Sequence, residues 1–264
     1  TFSWTKERVK PIKEEKTSLK DDVKDLATNK PWWILLVAGI MVIGFNSLRD
    51  GSAVYYFKYY VEASDTFSFT FMSASVTLIT IYLVLGQAAN ILGIMLVPTF
   101  TRLMGKKYTF LTATVGATIF SILFYFLPKD GIYGILALQI IICAGIVSPL
   151  LWSMYADISD YSEWKTGRRA TGLIFSSSSM SQKLGWTLGG SLTGWLLFYF
   201  GFEANTIQSE SALTGICLMM SIFPAIATGI SALFISRYPL SEKRLSEISS
   251  DLENRREIAE QNKI

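Results

Sequence analysis

The sequence predicts an all-α membrane protein with six spanning helices, and three observations carry that prediction. Half of the 264 residues are hydrophobic and the mean hydropathy is +0.36, which is too apolar for an ordinary soluble domain. Six apolar segments are long enough to cross a hydrocarbon core of about 30 Å. The connectors between them alternate sharply in charge.

The six segments are residues 32–60, 69–100, 108–127, 132–155, 170–200 and 212–236. Several exceed the minimum span, which leaves room for tilt or for kinks at Pro98, Pro149 and Pro224. Eight Lys/Arg precede Pro31, three lie in residues 101–107, three in 157–169 and six from Arg237 onward. The other connectors hold Lys129 alone, beside Glu62, Asp65, Asp130, Glu203 and Glu210. Twenty basic residues against one predict, by the positive-inside rule, that both ends of this segment are cytoplasmic. Residues 1–30 then read as a cytoplasmic linker, 31–238 as the membrane domain and 239–264 as a cytoplasmic tail. The tail spaces Leu245, Ile248, Leu252 and Ile258 for a short helix; a solvated, disordered end is the alternative. The chain opens on a charged stretch from Thr1, so no signal peptide is expected and an internal fragment of a longer chain is.

Composition also removes chemistry. There is no histidine, which excludes histidine metal ligands, histidine general bases and Ser-His-Asp triads. Cys143 and Cys217 lie in apolar runs and read as small hydrophobes. A membrane enzyme or receptor subunit finds little support, because no paired acidic motif lies inside the spans. A channel would need repeated charged rings, which are missing. No cofactor, metal or nucleic-acid partner is expected; the lipid bilayer is.

Lys183 is the costliest residue of the fifth segment, since a lysine at mid-membrane costs about 2.5–3.5 kcal/mol and normally faces a partner or water. Helical spacing places Gly172, Ser176, Ser179, Thr187, Gly190 and Gly194 on its face, opposite Ile174, Leu188, Leu192 and Leu196. That stripe suits a water-lined path for a polar solute. Close helix packing is the competing reading for its glycines, since 185–189 and 190–194 are both GxxxG pairs.

The first segment carries Asn46, Arg49 and Asp50, with Ala53, Tyr56 and Tyr60 following Arg49 along one face as an aromatic ladder. Adjacent residues point about 100° apart on a helix, so Arg49 and Asp50 each need another helix or the cavity. An interhelical ion pair is the alternative, and an interfacial belt is the alternative for Tyr59 and Tyr60. Gly51 permits a local break. Gln87 and Asn90 read equally as interhelical glue or as solute contacts, and Trp152 as a sugar-stacking ring or a helix anchor.

The order Trp152, Asp157-Ile-Ser-Asp160-Tyr161, Glu163-Trp164-Lys165, Gly167-Arg168-Arg169, then Lys183-Leu-Gly185, resembles the glycoside–pentoside–hexuronide cation symporters, whose best-known member carries melibiose. Leu48-Arg49-Asp50-Gly51, Tyr55-Tyr56-Phe57-Lys58-Tyr59-Tyr60 and the Arg102-Leu-Met-Gly105-Lys106-Lys107 loop add to the likeness, which covers essentially the whole chain. The resemblance implies the C-terminal half of a major-facilitator-type fold, helices seven to twelve of a carrier, built as a 3+3 inverted repeat. It implies symport of a glycoside or small oligosaccharide with Na⁺ or H⁺, in a bacterial inner membrane. It also implies a partner, the N-terminal six-helix half, which holds most of the cation site and the principal sugar-binding carboxylates.

By resemblance, Lys183 matches a functionally important lysine of the eleventh helix, and Trp152 and Ser179 lie close to the sugar pocket. The residues expected to bind or couple are therefore Lys183, Ser179, Ser176, Trp152, Arg49, Asp50, Tyr56, Gln87 and Asn90. Asp157, Asp160, Glu163, Lys165, Arg168 and Arg169 are expected to form a cytoplasmic gate through ion pairs to the other half; a topology signal alone is the competing reading. The alternative solute is an amphiphile such as a lysolipid, against which the serine stripe argues.

Overall fold

Spanning helices and their breaks account for nearly all of the architecture. The structure is a computed structural model that describes residues 19–61, 66–68, 75–143, 147–168 and 171–261. Helix α1 (Leu19–Ala27) leads into α2 (Lys30–Tyr55), which starts where the Asn29 side chain accepts a hydrogen bond from the Trp32 N–H and Pro31 occupies the first turn. The helix does not break at Gly51. It continues and widens into one stretch of π-helix, Tyr56–Tyr60, so the irregularity expected at the glycine falls five residues later. Gly51 serves packing instead: a methyl group there would lie 3.0 Å from Thr193 Oγ1.

A short antiparallel hairpin follows, β1 (Thr66–Ser68) and β2 (Ser75–Thr77), with Thr66 opposite Thr77. The second span therefore begins at Leu78 rather than at residue 69. Helix α3 (Leu78–Tyr125) runs for 48 residues, about 72 Å at the usual rise per residue and more than two membrane crossings need. Gly105, at φ 80 and ψ 163, turns it back on itself, so α3 is the predicted second and third spans joined by a turn. That left-handed backbone is one that glycine adopts freely. Helices α4 (Ile132–Cys143) and α5 (Val147–Thr166) form the fourth span, α6 (Thr171–Tyr199) the fifth, and α7 (Glu210–Met220) with α8 (Ile222–Ser236) the sixth. Among the described residues, four stretches are long and apolar enough to cross by length and composition alone. Dividing the kinked α3 and adding the more polar α6 makes the expected six.

The tail is helical: α9 (Glu242–Gln261) buries Ile248 and Leu252 against the bundle. Thus the disordered alternative does not hold for residues 242–261. Both described ends of the chain meet at one end of the bundle, where α1 and α9 pack on α5. The core divides accordingly. Leu35, Phe110, Met154, Ile158, Ile174 and Ile235 fill the terminal end together with Ile248 and Leu252 of α9. Tyr56, Phe57, Tyr82, Phe124, Ile135 and Met219 fill the opposite, hairpin end.

The tightest seam is α2 against α6. Methyl groups on Gly185 and Gly189 would meet Ile43 Cβ at 2.7 Å and Ser47 Cβ at 2.5 Å, and Gly189 would also crowd the Gly44 carbonyl at 2.7 Å. Two cross-helix hydrogen bonds flank this approach: Trp32 Nε1 donates to Ser177 Oγ at 2.8 Å and Ser47 Oγ donates to the Trp186 carbonyl at 2.9 Å. The two GxxxG pairs have thus parted. The 185–189 pair is a packing seam, whereas Gly190 and Gly194 are exposed and a methyl on Gly194 would meet nothing. Gly189→Ala is expected to lower stability by about 1–3 kcal/mol through overpacking, and Gly194→Ala to leave it unchanged. Thermal unfolding of the two variants in detergent checks the contrast.

Candidate functional site

Helix α6 presents three faces, and their division defines the candidate site. Ser177, Ser178, Ser181, Gly185, Gly189 and Thr193 are buried in the bundle. Met180, Leu184, Leu188, Leu192 and Trp195 form an exposed apolar arc of the kind that suits lipid. Between the two runs the stripe Gly172, Ser176, Ser179, Lys183, Thr187, Gly190 and Gly194, every member exposed. The expected apolar face therefore splits, with Ile174 and Leu196 buried but Leu188 and Leu192 exposed.

Lys183 stands close to the midpoint of this 29-residue helix. Among the described residues its ammonium has neither a hydrogen-bond nor an ion-pair partner. Ser176 and Thr187 send their hydroxyl protons back to the Leu173 and Lys183 carbonyls, at 2.9 and 2.8 Å, leaving oxygen lone pairs toward the open side. Trp152, on α5, is half exposed and lies parallel to Phe175 with ring centroids 6.1 Å apart. Phe175 is one helical turn from Ser179, so α5 supplies an aromatic platform beside the serine end of the stripe.

The other expected binding residues are distributed differently. Gln87 is exposed, while Asn90 turns inward to a cavity of about 60 Å³ that it shares with Asn46, Thr114, Ser148 and Thr228. Tyr56 is fully buried, stacked on Tyr60 at 5.0 Å and packed on Phe124, so the aromatic ladder exists but lies inside the hairpin-end core. Asp50 is exposed. Arg49 is 3% exposed and is not ion-paired among the described residues. Its Nη1 donates to the Met220 carbonyl at 2.9 Å, and its Nη2 donates to Tyr82 Oη at 2.8 Å and Gln139 Oε1 at 2.9 Å. The rings of Phe124 and Phe45 lie 5.1 and 5.7 Å from the guanidinium. Among the described residues no interhelical ion pair forms at Arg49 or Asp50; neutral acceptors hold Arg49 instead.

At the terminal end, three of the expected gate residues, Asp157, Glu163 and Arg168, form ion pairs inside this bundle. Lys106 Nζ donates to both oxygens of Asp157, at 2.7 and 2.8 Å. Arg168 pairs with Asp25 of α1. Glu163, 2% exposed, pairs with Arg256 of α9 at 3.0 Å. Trp164 donates to Asp251 at 3.0 Å and lies beneath the Arg244 guanidinium, 4.8 Å from its ring. Glu242 accepts from the Lys106 N–H at 2.7 Å, which holds α9 against the Gly105 turn. Asp160 is half-buried, Lys165 is exposed, and Arg169 falls outside the described residues. Burial, and then the Asp157 charge, push the Tyr238 hydroxyl well above the usual tyrosine range, so it stays neutral there.

A family model described as MFS/sugar transport protein matches residues 1–242. The chain belongs to this family. It is similar to an uncharacterised symporter, YnaJ, of Bacillus subtilis (29% identical over 260 residues, 97% of this chain and 54% of that protein). It is similar too to a putative glycoside/cation symporter, YagG, of Escherichia coli K12 (29% over 257 residues, 95% of this chain and 53% of that protein). The isoprimeverose transporter of Lactiplantibacillus pentosus is 30% identical over 259 residues, 96% of this chain and 51% of that protein. The chain spans about half the length of the curated relatives it matches.

Several contributors to these sites in this MFS/sugar transport chain escaped sequence reasoning. Gln139 and Tyr82, which hold Arg49, come from the fourth and second spans; the lone amide in the apolar run 132–143 was the available signal for Gln139. Phe175 carries no sequence mark as a stacking partner. Asp25 sits in a segment that reads as a linker, and Glu242, Asp251 and Arg256 in one that reads as a short helix or a disordered end, neither of which marks a pairing partner. Arg256→Met is expected to destabilise by about 1–3 kcal/mol, because it strips a charge partner from buried Glu163. Glu247→Ala, which removes an exposed pair with Arg244, should cost no more than about 0.5 kcal/mol. Chemical or thermal unfolding of the two variants measures the difference.

Proposed function

We propose that this chain is the C-terminal six-helix half of a carrier that moves a glycoside or small oligosaccharide together with Na⁺ or H⁺. The supporting observation is the continuous open stripe of α6 with a lysine at its centre that has no partner among the described residues. An exposed ammonium at mid-membrane is too costly to face lipid, so it faces water, solute or the opposing half. Hydroxyls of Ser176 and Ser179 and the Trp152–Phe175 platform surround one end of that stripe with groups suited to a sugar: hydrogen-bond acceptors beside a flat aromatic face. Relatives named as glycoside/cation symporter and isoprimeverose transporter support the same class of solute.

In this reading Lys183 pairs with a carboxylate of the N-terminal half when the site is empty and exchanges it for solute hydroxyls on binding. The coupling cation lies mainly in that other half. Asp50 is the second mid-span charge left on an exposed surface, and it is assigned to coupling rather than to sugar contact. Both termini of the segment lie in the cytoplasm, in line with the basic connectors. The terminal-end ion pairs Lys106–Asp157, Arg168–Asp25 and Glu163–Arg256 hold the cytoplasmic face of this half as one rigid plate. That plate closes against the other half as the two rock about the bound solute. No solute is chemically changed.

Counterflow with a panel of glycosides in proteoliposomes of the full-length carrier, at varied Na⁺ and pH, tests the proposal. Wild type should accumulate at least one glycoside intact, and Lys183→Ala should lower that accumulation about tenfold or more, the scale of a modest coupling energy. Normal transport of every glycoside by Lys183→Ala removes Lys183 from the mechanism. Appearance of a converted product inside the vesicles would sink the carrier reading itself.

A further inference from the structure

The buried Arg49 guanidinium has a specific reason to be where it is, and the reason lies in the sixth span. In an unbroken helix the carbonyl of Met220 would accept the N–H of residue 224. Residue 224 is proline, which has no N–H, so that carbonyl lacks its ordinary α-helical donor. Helix α7 ends at Met220, Ser221 adopts φ −126 and ψ −80, and α8 resumes at Ile222. The break lies within the apolar stretch 210–236, and Met220 and Ser221 are fully buried, so water is not at hand to satisfy it.

Three of the carbonyls at the break have donors outside the ordinary helical pattern. The Ser221 N–H turns to the Leu218 carbonyl at 3.2 Å, which releases the Cys217 carbonyl; the Ser221 hydroxyl takes that one at 2.6 Å. The Met220 carbonyl is reached from another helix, by Arg49 Nη1 at 2.9 Å. The second arm of the same guanidinium is fixed by Tyr82 of α3 and Gln139 of α4. Room for Gln139 is itself provided by Gly86, where a methyl group would lie 2.5 Å from Gln139 Nε2. One side chain of α2 thereby ties together the second, fourth and sixth spans.

We infer that Arg49 and Pro224 form a matched lock, in which Arg49 caps the carbonyl that Pro224 leaves without its ordinary α-helical donor and so holds the bend of the sixth span to α2, α3 and α4. Arg49 is then a positioning residue that acts through the Met220 carbonyl. The planar guanidinium is suited to this because it serves three acceptors in one plane at once, which a lysine ammonium at the end of a flexible stem does not. The same anchorage fixes the rotation of α2, and with it the placement of neighbouring Asp50 on the exposed side. The lock is a property of the fold and does not depend on which solute is carried.

A double-mutant cycle on the full-length carrier in detergent tests the lock, with thermal unfolding and amide hydrogen exchange across residues 217–228 as readouts. Arg49→Met should lower the unfolding midpoint by about 5 °C or more and speed exchange at the break. Pro224→Ala restores an N–H to position 224, so in that background Arg49→Met should cost about half as much or less. Arg49→Lys should fall between wild type and Arg49→Met. Equal losses in both backgrounds, or no loss from Arg49→Met, overturn the lock. Should Arg49→Met fail to fold, Arg49→Gln and Arg49→Lys are compared with and without Pro224→Ala, and the same additive result overturns it.

Discussion

Hydrocarbon supplies no hydrogen bonds, and the arrangement of this bundle follows from how each polar group inside it answers that shortage. Arg49 and Lys183 give opposite answers from neighbouring helices. Arg49 is enclosed, its charge spread over a carbonyl, a phenol, an amide and two aromatic rings. Lys183 is left open on the polar stripe of α6, with no partner among the described residues. A cation enclosed by acceptors holds structure; one left open remains available to a solute or to another surface. The distinction separates the packed frame of the bundle from its open polar face.

The frame is built by close approach as much as by polar contact. Without a hydrophobic drive between helices in lipid, association depends on packing and on interhelical hydrogen bonds. The α2–α6 seam uses both, with Gly185 and Gly189 admitting Ile43 and Ser47 while Trp32 and Ser47 donate across it. Because these glycines face α2, the residues 100° or more around α6 are turned away from the bundle, and Lys183 is among them. Orientation of the stripe is thus a consequence of the seam rather than a separate feature.

Ion pairs accumulate at the terminal end instead of mid-span. There α1 and α9, short amphipathic helices drawn from segments of mixed charge, strap the ends of α3 and α5. Exposed pairs of this sort contribute little singly, but Glu163 is buried and Trp164 joins three α9 side chains at once. The sequence groups these residues as a gate; Asp157, Glu163 and Arg168 also have ion-pair partners within this half. Charges of both signs in a polar segment do not reveal which will meet, since the pairing depends on where the segment folds back.

The spans, their approximate limits and the polar face of α6 were determined by the sequence alone. Transfer of about 20 apolar residues into lipid and a helical period of 3.6 leave few alternatives. The same holds for residues 101–107 as a connector between two spans and for Lys183 as the anomalous charge. What tertiary structure decided was which polar residues are enclosed and which are open. Arg49 and Asp50 are adjacent in sequence, yet one is buried and the other exposed. Tyr56 proved to be core, Asn90 turned to an internal cavity, and two consecutive GxxxG pairs took opposite roles. Helical periodicity assigns a residue to a face, but only the neighbouring helices decide what that face meets. Those neighbours, Tyr82, Gln139 and the Met220 carbonyl among them, come from parts of the chain far from the residues they hold.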